Sequence, residues 1–257
     1  VAEISFDYSG RVALVTGAGR GLGFAIAAAL HQAGATVAVN DRSEEACAAA
    51  ISKLGGGDRL IAAPADLATA EGPARAVAQA ARGGRLDFLI NNAAVNVEKP
   101  VAETDDAHWD AHLDINLRAP FLAVQAALPF LKLSKGCIVN VASELGLHAI
   151  ANNVAYIAAK HGLVALTKAL AIELAPDGIR ANALCPGTMD TELMRDCAVD
   201  SGDPDVYYAA FKRYHPIGRL ASPTEIASFA LCLLSPAAAF MTGAAIAIDG
   251  GSTAGRV

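Results

Sequence analysis

Aromatic side chains are scarce in this chain, at 5% of its residues, while 54% of the residues are hydrophobic. A core must therefore be built from Ala, Val, Leu and Ile, a composition that suits parallel strands buried on both faces beneath Ala-rich helices. Basic runs are also lacking: 20 Lys and Arg stand against 26 Asp and Glu, for a formal charge of −6. That excludes the electrostatic footprint of a nucleic-acid binder. No apolar run reads as long enough to span a bilayer. Residues 1–10, with Glu3 and Asp7, lack the basic-then-apolar layout of a signal peptide. A cytoplasmic protein with no membrane partner is expected. The cysteines, Cys47, Cys137, Cys185, Cys197 and Cys232, are odd in number and show no C-x-x-C spacing. A disulfide framework and a thiolate metal site are both disfavoured. His148 and His215 do not stand at metal-ligand spacing, so no metal is expected.

What is present is alternation. Short β-branched or Leu-rich runs read as strands at Val12–Thr16, Thr36–Asn40, Arg59–Ala63, Phe88–Asn91, Cys137–Val141, Arg180–Cys185 and Ala244–Ile248. Helical patterns lie between them at Leu22–Ala33, Glu44–Leu54, Ala70–Ala81, Asp106–Leu131, Val154–Leu174 and Pro223–Leu234. This order implies an α/β fold, a doubly wound parallel sheet of about seven strands with helices on both faces. Gly34 and Gly83-Gly84 punctuate helix ends, and Ser222-Pro223 reads as an N-cap followed by proline at the first helical position. No linker or repeat divides the chain, so one domain over residues 1–257 is the economical reading. The stretch 187–216 reads as one long irregular segment, and a loop of that length is usually a functional lid.

The first strand runs directly into Gly17-Ala18-Gly19-Arg20-Gly21-Leu22-Gly23 and then a helix. Such a turn lets backbone approach a pyrophosphate, which the N–H groups of the helix N-terminus then receive. The spacing is T-G-x-x-x-G-x-G rather than G-x-G-x-x-G, and a plain tight turn would look similar. Asp41 follows the second strand, eighteen residues after Gly23. A carboxylate there accepts ribose hydroxyls and repels a 2′-phosphate, which favours NAD over NADP. Arg20 and Arg42 pull the other way, because guanidinium groups pair with phosphate.

Tyr156 and Lys160 stand four apart in a helical segment, on one face. An ammonium beside a phenol favours the phenolate, so the tyrosine is expected to titrate below its ordinary value and to exchange a proton with an alcohol or ketone. Alone, the pair is as easily a solvated i,i+4 pair. Ser143, thirteen residues earlier and just past the carboxyl end of a strand, changes the balance, since it can hydrogen-bond the same substrate oxygen.

Together with Asp66-Leu67, Asn91-Asn92-Ala93-Ala94, Asn116, Pro186-Gly187 through Thr191, and Asp249-Gly250-Gly251, these segments resemble the short-chain dehydrogenase/reductase family over essentially the whole length. The resemblance implies a Rossmann-like single domain that binds a nicotinamide dinucleotide and interconverts a secondary alcohol and a ketone. It implies that Asn116, Ser143, Tyr156 and Lys160 are catalytic. The cofactor would meet Gly17, Arg20, Gly21, Leu22, Gly23 and Asp41, with Asp66 and Leu67 at the adenine and Asn92 at the sugar. Lys160 would also bind the nicotinamide ribose, Pro186 and Gly187 would meet the cofactor, and the Met189 backbone and Thr191 would hold the carboxamide. Asn116 would anchor a water relaying protons to Lys160. Homotetramers or dimers, formed through the long helices, are implied as well. Two departures stand out: Ala94 where the motif usually ends in glycine, and Glu144 directly after the serine, where small residues are commoner.

Substrate-facing candidates are Asn96, Glu144, His148, Asn152, Asn153 and the 187–216 segment with Tyr207, Tyr208 and His215. Such polar groups suit a polyol, a sugar or another small hydroxylated substrate. The alternatives are an NADPH-dependent ketoreductase, for instance one acting on 3-oxoacyl groups, and a nucleotide-binding sensor without turnover.

Overall fold

The computed structural model describes residues 5–255. The expectation about residues 1–10 therefore falls partly on residues 1–4, outside the described range. In chain order the elements are β1 (Val12–Val15), α1 (Gly21–Gln32), β2 (Thr36–Val39), α2 (Glu44–Lys53), β3 (Leu60–Ala62), α3 (Gly72–Ala80) and β4 (Phe88–Asn91). There follow α4 (Asp106–Leu113), α5 (Ala119–Ser134), β5 (Cys137–Val141), α6 (Val154–Leu174) and β6 (Arg180–Pro186). The chain continues through α7 (Glu192–Asp200), α8 (Pro204–Lys212), α9 (Pro223–Leu234) and β7 (Ala245–Ile248).

All seven strands pair in parallel, in the order β3-β2-β1-β4-β5-β6-β7. Strands β1 to β6 are largely apolar and buried, whereas the edge strand β7 is only partly covered. Ala13 and Val15 of β1 pack with Ile26 and Leu30 of α1 and with Ile226 and Leu233 of α9, whereas Leu14 between them packs with Val77, Val124 and Leu131 of α3 and α5. That is the period-two alternation of a strand sandwiched between helix layers. The order reverses between β1 and β4, so their connections leave to opposite faces and a crevice opens at the carboxyl ends.

A buried polar chain crosses the core from β4 to α6. Asn91 Nδ2 donates to Asn140 Oδ1 at 2.8 Å, Asn140 Nδ2 donates to Thr167 Oγ1 at 2.8 Å, and Thr167 donates to the Leu163 carbonyl at 2.7 Å. Polar side chains in so apolar a layer persist only when each is paired, and their pairing fixes the seat of α6 on the sheet.

Three sequence expectations are corrected. The helix expected over 106–131 is α4 and α5 joined by a π-helical turn at Asp114–Arg118, where the Ala119 N–H reaches back to the Asp114 carbonyl. Pro120 explains the shift, since it has no N–H to donate to the Asn116 carbonyl one turn back. The segment 187–216 is not irregular, because it holds α7 and α8. Thr191 Oγ1 accepts from Met194 N–H at 3.2 Å and Asp203 Oδ1 from Val206 N–H at 3.1 Å, and Pro204 starts α8. Finally, one window within Val154–Asp177 is apolar and long enough to cross a membrane, with a mean hydropathy of 1.2. In the fold it belongs to a core helix, with Leu163, Leu170 and Leu174 buried against the sheet.

The amino-terminal edge of the sheet is clamped by Asp87, which is 1% exposed. It accepts from Arg11 at 2.8 Å, from Arg85 at 2.7 Å and from the Val12 N–H at 2.9 Å. Burial pushes this carboxyl up, but the hydrogen bonds from Arg85, Arg11 and Val12 outweigh burial and hold it below its ordinary value. Its stabilisation is complete above about pH 4 and is lost as the pH falls through the depressed folded value. Asp87→Asn is expected to lower unfolding stability by about 2 kcal/mol at pH 7, the arginines being half exposed and able to resolvate. Urea titrations at pH 7 and pH 3 check this, and the difference from the parent chain should shrink at the lower pH.

Candidate active site

The crevice at the β1–β4 reversal is a cavity of about 770 Å³, within the range of small-molecule and cofactor sites. Gly17, Gly19, Arg20, Gly21, Asp41, Arg42, Asp66, Leu67, Asn92 and Thr191 all line it. Helix α1 starts at its floor without a side-chain cap and without an acidic residue in its first turn. The N-terminal N–H groups and the positive end of the helix dipole thus have no competing side chain, as an anion site requires. Asp41 Oδ2 accepts from the Gly19 N–H at 3.1 Å, so the carboxylate is fixed against the turn. A Cβ at Gly19 would run into that carboxylate. Asn92 Nδ2 donates to the carbonyls of Thr16 (2.9 Å) and Gly17 (3.1 Å), and a Cβ on Gly23 would strike this brace. Arg42 is exposed and stands 3.9 Å from Asp66. Uncapped helix, close-packed glycine turn and carboxylate at the end of β2 together fit a nicotinamide dinucleotide.

Not every expected residue is at this wall. Leu22 is packed in the core beneath the turn. Pro186 closes β6 against Ile248, and Gly187 lines a second cavity of about 210 Å³ beside His215 and Asp249. Met189 is bridged to Ala221, and the Thr191 hydroxyl caps α7 while the residue faces the large cavity. Ala94, in place of glycine, lines the cavity without obstruction. Asn40 was missed by sequence reasoning: buried at the end of β2, its amide donates to the Ala63 carbonyl at 2.8 Å and it too lines the cavity. A polar residue closing an apolar strand was the available signal.

Past the carboxyl end of β5, Ser143 lies in extended backbone and its Oγ accepts from the Leu145 N–H at 3.1 Å. Tyr156 and Lys160 come from the first two turns of α6, with Lys160 Nζ 5.5 Å from the tyrosine ring centre. Lys160 is 1% exposed, and its Nζ donates to the Val141 carbonyl at 2.8 Å, tying α6 to β5. Burial pulls the ammonium down to about 7, with neighbouring Cys185 opposing weakly. Burial likewise pushes Tyr156 up to about 12; a hydrogen bond with Ser143 opposes that, and the charge of Glu144 adds to it. The expected lowering of the phenol by its lysine is therefore reversed. Lys160 is buried and Tyr156 half-buried, and the lost hydration penalises each charged form more than its neighbour offsets.

Among the described residues no three His, Cys, Asp or Glu side chains gather as a metal site. The sequence does hold one i,i+4 histidine pair, His108 and His112, which was passed over. His112 uses both ring nitrogens on the Val97 N–H and the His108 carbonyl.

Comparison with known proteins agrees with this geometry. A family model described as enoyl-(acyl carrier protein) reductase matches residues 17–253. The D-threitol dehydrogenase of Mycolicibacterium smegmatis is 41% identical, over 98% of this chain and 96% of its own length. The 2-(S)-hydroxypropyl-CoM dehydrogenase 3 of Xanthobacter autotrophicus is 40% identical, over 95% of this chain and 96% of its own. A crystal structure described as a short-chain alcohol dehydrogenase of Sinorhizobium meliloti superposes with a TM-score of 0.88 at 39% identity, covering 98% of this chain and 99% of that one. The chain belongs to the short-chain dehydrogenase/reductase family. It is an oxidoreductase acting on CH–OH groups.

As a short-chain dehydrogenase/reductase, the protein shows one local difference from what the resemblance implied. Asn116 is fully buried in the π-helical turn, and its side chain pairs with the Val95 backbone in both directions, at 3.2 and 2.9 Å. The amide is thus occupied in holding the loop after β4. Of the substrate candidates, Asn96 is exposed, Tyr208 donates to Asp190 at 3.2 Å, and His215 is buried with both ring nitrogens paired. Glu144, His148 and Asn153 keep polar atoms without partners.

The depressed lysine has a stability consequence. Below about pH 7 the full cost of a buried charge is present, and it is relieved as the pH rises toward the ordinary lysine value. Lys160→Met is expected to stabilise the fold by roughly 1–3 kcal/mol at pH 6 while abolishing turnover. The gain should shrink toward pH 10, as thermal melts at the two pH values will show.

Proposed function

We propose that this protein is an NAD-dependent dehydrogenase that interconverts a secondary alcohol, in particular a polyol, sugar or other small hydroxylated compound, with its ketone. What supports the reading most is the grouping of Lys160 with Tyr156 and of Tyr156 with Ser143, in a fold whose crevice is closed at the β2 end by a carboxylate. Bound nicotinamide supplies the hydride acceptor or donor. Tyr156 exchanges the proton at the carbinol or carbonyl oxygen as general acid or base, and Ser143 holds the same oxygen by a hydrogen bond. Tyr156 is protonated at neutral pH and so carries the proton that reduction requires; the positive charge of protonated Lys160 favours the phenolate when it acts as base. Asn116 supports the arrangement by holding the loop after β4.

The carboxylate of Asp41 suits the two hydroxyls of an adenosine ribose, and Arg42 beside it is partly matched by Asp66. The rival reading, an NADPH-dependent ketoreductase such as a 3-oxoacyl reductase, draws on Arg20 and Arg42 at the cavity wall. The name of the threitol-oxidising relative supports a small hydroxylated substrate. Thr191 and Leu193 reach the cavity wall, which supports a lid role for α7 and α8. Phe121 and Leu133 on α5 and Ile172 on α6 are exposed apolar side chains, in keeping with a homotetramer joined through the long helices.

Tyr156→Phe is expected to lower kcat by about 100- to 10,000-fold with NADH binding retained, measured by fluorescence titration and steady-state oxidation. Unchanged turnover would refute the proton-transfer role. Asp41→Asn should erode the preference for NAD over NADP, and a parent enzyme that prefers NADPH would overturn the cofactor assignment.

A further inference from the structure

Buried polar atoms without hydrogen-bond partners are unevenly distributed in this protein. Among the described residues they are His31 Nδ1, Glu144 Oε2, His148 Nδ1, and both Nδ2 and Oδ1 of Asn153. All but the first lie in the ten residues between Ser143 and Val154, the segment that joins β5 to α6 and carries the reacting groups at its two ends. Glu144 and Asn153 are only 9% and 2% exposed. Glu144 follows Ser143 directly and stands close enough to Tyr156 for its charge to be felt at the phenol. Asn153 precedes Tyr156 by three residues, about one helical turn. His148 lies within electrostatic reach of Glu144.

The polar neighbours on the far side are already satisfied. His215 accepts from the Thr188 N–H at 3.2 Å and donates to the Asp249 carbonyl at 2.7 Å. The Asp249 carboxylate is taken by Thr253 and by the Gly251 N–H. Glu144, His148 and Asn153, all in the segment that leads into α6, retain unmet capacity. Leaving such groups unpaired is costly, and buried polar atoms of this kind are normally matched by something they bind.

We propose that Glu144, His148 and Asn153 form a hydroxyl-recognition subsite beside Tyr156, so that the substrate is a neutral alcohol carrying a second, nearby hydroxyl. This rests on the dehydrogenase reading above. A hydroxyl donates one hydrogen bond and accepts others, so it can give to Glu144 and receive from Asn153 Nδ2. An alkyl group in its place would leave all three residues buried and unpaired, and a carboxylate would only accept and would face Glu144 charge to charge. Burial holds the Glu144 carboxyl above the usual carboxylate range, with Ser252 beside it opposing that shift. In its protonated form the group still pairs with a hydroxyl, now as donor.

The test compares kcat/KM, on the full chain with NAD, for cis-cyclohexane-1,2-diol, cyclohexanol and 2-hydroxycyclohexanecarboxylate, and for the open-chain pair D-threitol and 2-butanol. Each diol or polyol should exceed its mono-alcohol by about 100-fold or more, with the carboxylate the poorest ring substrate. Glu144→Gln, nearly isosteric, and Asn153→Ala should each lower the diol-to-monoalcohol ratio by about tenfold or more. Equal efficiencies in the parent enzyme would overturn the subsite, whatever the variants do. So would variants that scale every substrate by one factor. If diol and mono-alcohol are used equally and Tyr156→Phe abolishes both, the dehydrogenase reading stands while the subsite falls. Turnover of neither pair with either cofactor overturns both.

Discussion

The reversal of strand order between β1 and β4 is the constraint on which the rest depends. Neighbouring strands send their connections to opposite faces only there, so no crossover covers the carboxyl ends and a crevice must remain. The glycine turn after β1, Asp41 after β2 and Asn92 after β4 are brought to that crevice by strand register, not by proximity in sequence. Ser143 follows β5, one strand further along, and Tyr156 and Lys160 enter from α6. The site is thus a product of sheet topology, and the Asn91–Asn140–Thr167 chain and the Lys160–Val141 hydrogen bond hold the helix that completes it.

The region around Tyr156 runs against the economy of the surrounding core. The sheet is buried under apolar helices, yet the start of α6 and the preceding loop hold a buried lysine, a half-buried phenol and a buried carboxylate. Burial pushes each toward its neutral form, and together they form a site with weakly held charge that a polar substrate can engage. Such local departures from good packing chemistry are where function concentrates.

Much of this was legible in the sequence, because the relevant signals are local. All seven strands appear where the apolar runs place them, to within one or two residues at each end. The glycine turn, Asp41, Asp66 and Asn92 line the crevice as expected. The errors came where local signals compete. The charged and aromatic make-up of 187–216 concealed two short capped helices, and a continuous helical pattern over 106–131 concealed a π-helical turn at Pro120. The partner that holds the Asn116 side chain, the backbone of Val95 twenty-one residues away, is likewise invisible to local pattern.

The sequence by itself determined the α/β alternation, the phosphate-binding turn and the identity of Ser143, Tyr156 and Lys160, because strand and helix periodicity and the residue types of a turn are set within a few positions. Only the tertiary structure decided how the charges behave. It buried Lys160 and half-buried Tyr156, so desolvation rather than mutual attraction dominates their protonation, and it left polar atoms of Glu144, His148 and Asn153 unpaired in the segment leading to α6. The physical reason is that solvation and hydrogen-bond satisfaction depend on every element packed around a group, and no segment of sequence carries that information alone.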